Sequence, residues 1–169
     1  MSKQNREQKK QKVIEVLNKA RSMELQAIHQ YMNQHYSLDD KDYGEFATKI
    51  RTIAIDEMRH AETFAERVKE LDGEPTTELA GGVEKNQDVE KIFPFDSEQE
   101  EEAIETYNEF AQICRENNDT ISAKLFETII EEEQQHQNYF DDIDDHIKNL
   151  GNTYLARMVG TAEGEGGEE

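Results

Sequence analysis

The sequence predicts an all-α protein: a four-helix bundle with a long crossover between its second and third helices and a short fifth helix near the C-terminus. Three observations point there. Apolar residues recur at alternating spacings of three and four along most of the chain, the period of one helix face. Only 2 prolines and 9 glycines punctuate 169 residues, which favours long helices. One stretch, 72–96, breaks the period and holds Gly81-Gly82 and Phe93-Pro94-Phe95. A loop of that length is unusual inside a compact domain, and in a bundle it reads as a segment running the length of the helices.

The elements follow in order. Residues 1–8 read as frayed, and the first helix as 9–38, with a stripe at Val13, Leu17, Ala20, Ala27 and Tyr31. A short turn at Ser37-Leu-Asp-Asp40 leads to a second helix over 42–71, so the two are antiparallel neighbours. Asp72-Gly73 ends that helix, and Pro75 prevents its resumption. After the crossover, Ser97 and Glu100 form a capping box that opens the third helix, parallel to the second. It ends near Asn117-Asn118, and the fourth helix runs to about residue 150, stopped by Gly151. A fifth helix, 153–159, ends at Gly160. We read 1–160 as one domain and 161–169, acidic and Gly-rich, as a disordered tail.

Composition bounds the function. Hydrophobic residues make up 34% and the mean hydropathy is -0.98, so the core is narrow. The 39 Asp and Glu against 19 Lys and Arg give a net charge of -20. That argues against nucleic acid as a partner, because phosphate backbones are held by Lys and Arg. An acidic surface concentrates cations instead. The single Cys114 makes no intrachain disulfide. The N-terminal MSKQNREQKKQK lacks the apolar run of a secretory signal, and no segment reaches membrane-spanning length. The expectation is a soluble cytoplasmic protein.

Chemistry concentrates in two copies of one pattern, Glu57-Met-Arg-His60 and Glu133-Gln-Gln-His136. Residues three apart project from one helix face. The second helix carries Phe46, Ile50, Ile53, Glu57, His60, Phe64, Val68 and Leu71. The fourth carries Phe126, Ile129, Glu133, His136, Phe140, Ile143, Ile147 and Leu150. Mid-stripe, where Leu or Val belongs, each helix holds Glu and His. A buried ionised carboxylate without a partner costs several kcal/mol or changes its protonation. Two divalent metals at the bundle centre compensate all four groups, with carboxylates bridging and imidazoles capping.

That arrangement asks for one Glu from each remaining helix. The first supplies Glu24, between Ala20 and Ala27. The third offers a run, Glu98, Glu100, Glu101, Glu102 and Glu105, among which periodicity does not choose. A salt-bridged polar core is the plainer alternative, weakened by so many such residues at one depth. Tyr31 lies on the Glu24 stripe, as a ligand partner or as core. His29, His35 and His146 lack partner spacing and read as surface. A second face of the second helix gathers Ala47, Ala54, Met58, Ala61 and Ala65, leaving room for another helix or a flat ligand. Met58 reads there as interface filler or as a thioether ligand to haem iron.

These residues bring a family into view. Ile55-Asp-Glu-Met-Arg-His-Ala61 resembles the second-helix signature of bacterioferritins, and the resemblance runs from about Val13 to Val159. Met23-Glu-Leu-Gln-Ala-Ile-His-Gln-Tyr31 resembles the family's first-ligand segment. The resemblance implies metal and catalytic ligands Glu24, Glu57, His60, Glu102, Glu133 and His136, with Glu102 as the third-helix ligand. Glu57 and Glu133 would bridge, with Glu24 and Glu102 terminal. It implies a ferritin-like fold, two iron ions per subunit, and a hollow shell of twenty-four identical subunits built from two-fold dimers. In that shell Fe(II) is oxidised by O2 or H2O2 and stored as ferric mineral. It implies an iron porphyrin, haem b or a variant such as iron-coproporphyrin, one per two subunits, held by Met58 from each and assisting electron transfer. A ferredoxin or rubredoxin is the kind of electron donor expected. Two departures stand out: Thr52 occupies the place of an inner-surface His that some members pair with the equivalent of Asp56, and Tyr139 that of a Trp. The rival functions are a peroxide-scavenging di-iron protein and a haem-binding electron-transfer shell. The first usually draws electrons through a Cys-ligated iron domain, which one cysteine cannot build.

Overall fold

A computed structural model of the chain describes residues 3–161. Its five helices are α1 (Lys3–Asp40), α2 (Gly44–Glu70), α3 (Val89–Glu116), α4 (Thr120–Leu150) and α5 (Asn152–Met158). The expected all-α architecture is present, with α1 packed along α2 and α3 along α4.

Three helix ends share one stop. Asp42, Asp72 and Asn118 have φ of 62°, 60° and 64°, the left-handed conformation in which short polar side chains are the tolerated non-glycine choice. After α2, Asp72 N–H returns to Lys69 O and Gly73 N–H to Val68 O, a Schellman closure. Asp42 with Tyr43, and Asn118 with Asp119, repeat the pattern. At α2 the left-handed residue is therefore Asp72. Gly73 is needed for space, because a Cβ there would lie 2.9 Å from Val68 Cγ1 and 3.0 Å from Ile14 Cγ2.

The crossover lies along α1 in the same direction. A row of α1 side chains holds its backbone. Asn18 donates to Glu74 O, Arg21 to Thr76 O, Gln26 to Gly82 O, and Gln30 to Glu84 O, each at 3.0 Å. Ala80 N–H bonds to Ser22 O. These contacts satisfy a long irregular backbone that supplies no ladder of its own. The crossover thus returns the chain to the far end of the bundle, making α3 parallel to α2.

The structure corrects several expectations. Lys3–Gln8 are helical rather than frayed. The third helix begins at Val89, not at Ser97, and carries Pro94 inside it. Proline in a helix costs roughly 3 kcal/mol. Here Val89, Ile92 and Phe93 are buried by the added turns, each contributing about 1.5–3 kcal/mol, so burial wins. Ser97 consequently does not cap; its hydroxyl bonds Asp141 Oδ1 at 2.5 Å. Leu150 ends its stripe exposed. Ala47, Ala54 and Ala61 are buried within the chain, so they form no open face with Met58. The proposed tail begins one residue early: Thr161 pairs with Tyr43, and its hydroxyl accepts from Glu45 N–H. Residues 162–169 lie outside the described residues.

The apolar core forms two clusters. One gathers Leu17, Ala20, Phe64, Val68, Phe110 and Phe126. The other gathers Leu38, Phe46, Ile50, Ile53, Phe93 and Phe140, and α5 adds Met158 to it. Between them, at mid-bundle, lies a polar layer. Gly73→Ala is expected to destabilise the fold by about 1–3 kcal/mol through overpacking, read as a lowered denaturation midpoint with an unchanged m value.

Candidate metal centre

The layer between the clusters consists of Glu24, Glu57, His60, Glu100, Glu133 and His136, all between 1% and 6% exposed. Each comes from the inward stripe of its helix: Glu24 from α1, Glu57 and His60 from α2, Glu100 from α3, Glu133 and His136 from α4. They form two overlapping sets. Glu24, Glu57, His60 and Glu133 offer ligand atoms within 4.8 Å of one another, and so do Glu57, Glu100, Glu133 and His136.

The shared members are Glu57 and Glu133. Glu57 turns Oε2 to His60 Nδ1 and Oε1 to His136 Nδ1, both at 3.0 Å. Glu133 turns Oε1 to His60 Nδ1 at 3.3 Å and Oε2 to His136 Nδ1 at 3.0 Å. Each carboxylate therefore presents one oxygen to each half of the site, the disposition a bridging ligand requires. Glu24 and Glu100 stand on opposite sides, 3.7 Å from His60 Nδ1 and 3.8 Å from His136 Nδ1. Glu57 Oε1, solvent-excluded, has no partner with hydrogen-bond geometry. The four carboxylates and two imidazoles, with that unsatisfied oxygen, fit a pair of divalent cations of the iron type.

Of the residues expected in the centre, the structure brings together Glu24, Glu57, His60, Glu133 and His136. Glu102 is the exception. It is exposed, and Glu100 holds the place expected for it. On α3 the inward face runs through Asp96, Glu100, Tyr107 and Phe110; a residue two positions after Glu100 is rotated roughly 200° away.

Two tyrosines and two further carboxylates complete the surroundings. Tyr107 OH donates to Glu24 Oε1 at 2.6 Å, and Tyr31 OH donates to Glu100 Oε1. The outer nitrogens of the imidazoles are also held: His60 Nε2 lies 2.9 Å from Glu132 Oε2 and His136 Nε2 3.3 Å from Asp56 Oδ2. Those contacts turn each Nδ1 inward, as outer partners of metal-binding histidines do. Sequence reasoning missed Tyr107 and Glu132 and left Glu100 as one of several candidates, yet a signal was present. Adding 76 to the positions of Glu24, Tyr31, Asp56, Glu57 and His60 gives Glu100, Tyr107, Glu132, Glu133 and His136. The recurrence extends beyond the Glu-x-x-His pair, and it selects Glu100 from the α3 run.

Protonation follows from burial and crowding. Burial, then the charges of Glu133 and Glu57, push Glu24 well above the ordinary carboxyl range; Glu100 moves the same way for the same reasons. Burial opposes ionisation of Glu57 too, but the facing imidazoles of His136 and His60 outweigh it and hold Glu57 low. Burial likewise disfavours charged imidazoles, but the surrounding carboxylates win, raising His60 and bringing His136 up to about 10. Burial, reinforced by the carboxylates, keeps Tyr31 and Tyr107 protonated and able to donate. Protons on Glu24, Glu100 and the imidazoles thus provide the positive charge that metals would otherwise bring. Loading metal must release them.

Elsewhere, Thr52 is exposed and donates to Thr48 O at 3.0 Å. Lys49 Nζ stands 5.3 Å from the centre of the Tyr139 ring. Met58 is 42% exposed.

A bundle with one long crossover and inward Glu and Glu-x-x-His ligands defines a ferritin-like di-metal carboxylate protein, and residues 14–150 match the ferritin-like domain family. Within that class the chain belongs to the bacterioferritins. It is 61% identical over 162 residues to the bacterioferritin of Desulfovibrio desulfuricans, covering 96% of this chain and 90% of that protein. It is 36% identical over 148 residues to that of Streptomyces coelicolor, covering 87% and 89%. The Desulfovibrio desulfuricans crystal structure, described for its diiron site in different catalytic states, superposes with a TM-score of 0.94 at 60% identity, covering 97% of this chain and 96% of that one. The Mycobacterium tuberculosis bacterioferritin BfrA gives 0.83 at 32% identity, covering 87% and 93%.

Two outcomes test the centre. Titrated with Co(II), Glu100→Gln should lose one of two bound ions per chain, whereas Glu102→Gln keeps both; calorimetric stoichiometry decides. Because loading expels protons, apparent affinity should rise with pH between 5 and 8, and Glu132→Ala should weaken it by about 10- to 100-fold.

Proposed function

We propose that the protein is an iron-storage ferroxidase that oxidises Fe(II) at the Glu24–Glu57–His60–Glu100–Glu133–His136 centre and deposits ferric mineral inside a hollow shell of twenty-four copies. The observation that carries this is the pair of overlapping ligand sets sharing Glu57 and Glu133. Two iron ions held there supply the electrons that reduce O2 or H2O2. The chain's own residues do the rest. The carboxylates attract and orient the ions, the imidazoles cap them, and Tyr31 and Tyr107 hold Glu100 and Glu24 in place. The apolar clusters on either side keep bulk water out. The membership of the family supports the shell. None of the described helices is long and apolar enough to cross a membrane, consistent with a cytoplasmic location.

The haem belongs to the same proposal. Met58 shares a side of α2 with its alanines, but where they are buried it is an exposed large apolar side chain. At a two-fold contact it would meet its counterpart, so one iron porphyrin per two subunits would take the same soft ligand from both sides. The group would carry electrons from a ferredoxin or rubredoxin to the stored mineral.

Ferrous ion added at two per chain in air should give rapid ferric absorbance, and His136→Ala should slow it at least tenfold while sedimentation still shows an intact shell. Oxidation of that variant at the wild-type rate would remove His136 from the ligand set. Met58→Leu keeps side-chain volume, so it should purify assembled and active but without the porphyrin absorption band.

A further inference from the structure

We propose that ferrous ions reach the centre from the crossover side of the bundle, and that Glu102 is the carboxylate that captures them there. The inference rests on the function proposed above, and it concerns the one expected ligand that the centre does not contain. A cavity of about 300 Å3 opens between α1, α3 and the crossover. Its floor is made by Glu24, Glu57, Glu100 and Glu133. Glu57 Oε1, which faces His136 Nδ1 at 3.0 Å without hydrogen-bond geometry, belongs to that floor residue. Glu102, exposed, lines the same cavity. It is thus a charged group at the mouth of a recess whose depth holds only carboxylate ligands.

The opposite side of the bundle offers a poorer approach. A second cavity, about 400 Å3, lies between α2 and α4 and is lined by Lys49, Asp56, Glu132, His136 and Tyr139. An ion arriving there meets the Lys49 cation. It also meets Asp56 and Glu132, already engaged with the outer nitrogens of the imidazoles. Neither shared carboxylate of the centre, Glu57 nor Glu133, lines that cavity.

The crossover sets the aperture. Gly81 lines the first cavity, and a Cβ there would lie 3.2 Å from Gln26 Nε2. The Gln26 amide is itself fixed by its bond to Gly82 O, so it has little freedom to give way. Glycine at 81 therefore keeps the rim open. Capture and aperture are separable: attraction to Glu102 is screened by salt over about 10 Å at 0.1 M and 3 Å at 1 M, whereas a narrowed rim is not.

The test follows Co(II) uptake by the assembled, metal-free protein, using stopped-flow visible absorption. At low ionic strength Glu102→Gln should bind the same two ions per chain about three- to tenfold more slowly, within the range by which a one-sign cleft raises on-rates. The deficit should shrink at 1 M salt and be largely rescued by Glu102→Asp. Glu101→Gln and Glu105→Gln, which remove the same charge from exposed α3 positions outside the cavity, should bind at the wild-type rate. Gly81→Val should slow uptake at both ionic strengths. Wild-type uptake by Glu102→Gln at low salt would overturn the proposal, as would equal slowing by Glu101→Gln, or loss of one bound ion. Wild-type oxidation of Fe(II) in air, measured in parallel, tests the ferroxidase function separately, since Co(II) uptake reports the route whether or not iron is oxidised.

Discussion

The structure turns on a conflict between charge and burial. Four carboxyls and two imidazoles sit where an apolar bundle would place Leu or Val, and none is more than 6% exposed. Removing ions from water costs several kcal/mol each even after relaxation. The chain does not avoid that cost; it arranges the groups so that positive charge at the centre offsets it. Without metal, the imidazolium groups and the protons on Glu24 and Glu100 fill that role. The two apolar clusters hold the layer rigidly from above and below.

The rest of the fold serves this layer. Ferritin-like topology requires that α3 run parallel to α2, and a parallel connection must travel the full length of the bundle. Asn18, Arg21, Gln26 and Gln30 satisfy the travelling backbone. Of these only Gln30 is buried, at 4% exposed, while Asn18, Arg21 and Gln26 are half-buried, so the fastening runs along the edge of the bundle. The same segment that solves the connection problem also forms one wall of the recess above the centre.

Much of this was legible in the sequence because helix period and ligand spacing are local properties. The α2 and α4 stripes, with Glu and His in mid-stripe, could be read residue by residue. What failed involved competition between local and distant effects. Pro94 and the Ser97–Glu100 box both argue for a late start to α3, and only the burial of Val89, Ile92 and Phe93 against other helices overrides them. On α3 the period leaves the acidic run open, and the resemblance, which selects Glu102, falls two positions past the inward Glu100. The alanines of α2 erred for a related reason. Small residues signal close approach, but sequence alone does not say that α1, rather than a second subunit, is what approaches.

The 76-residue recurrence has a further consequence. The first hairpin supplies Glu24, Glu57 and His60 to one ligand set and Glu57 to the other; the second hairpin supplies Glu133 to the first set and Glu100, Glu133 and His136 to the other. Neither hairpin can complete a coordination sphere by itself. Metal affinity is therefore thermodynamically linked to the docking of one hairpin on the other. Any ion that binds the docked state alone stabilises it by RT ln(1 + [L]/Kd). A divalent ion held there would act as a clasp between the hairpins: resistance to unfolding would rise with the free concentration of that ion.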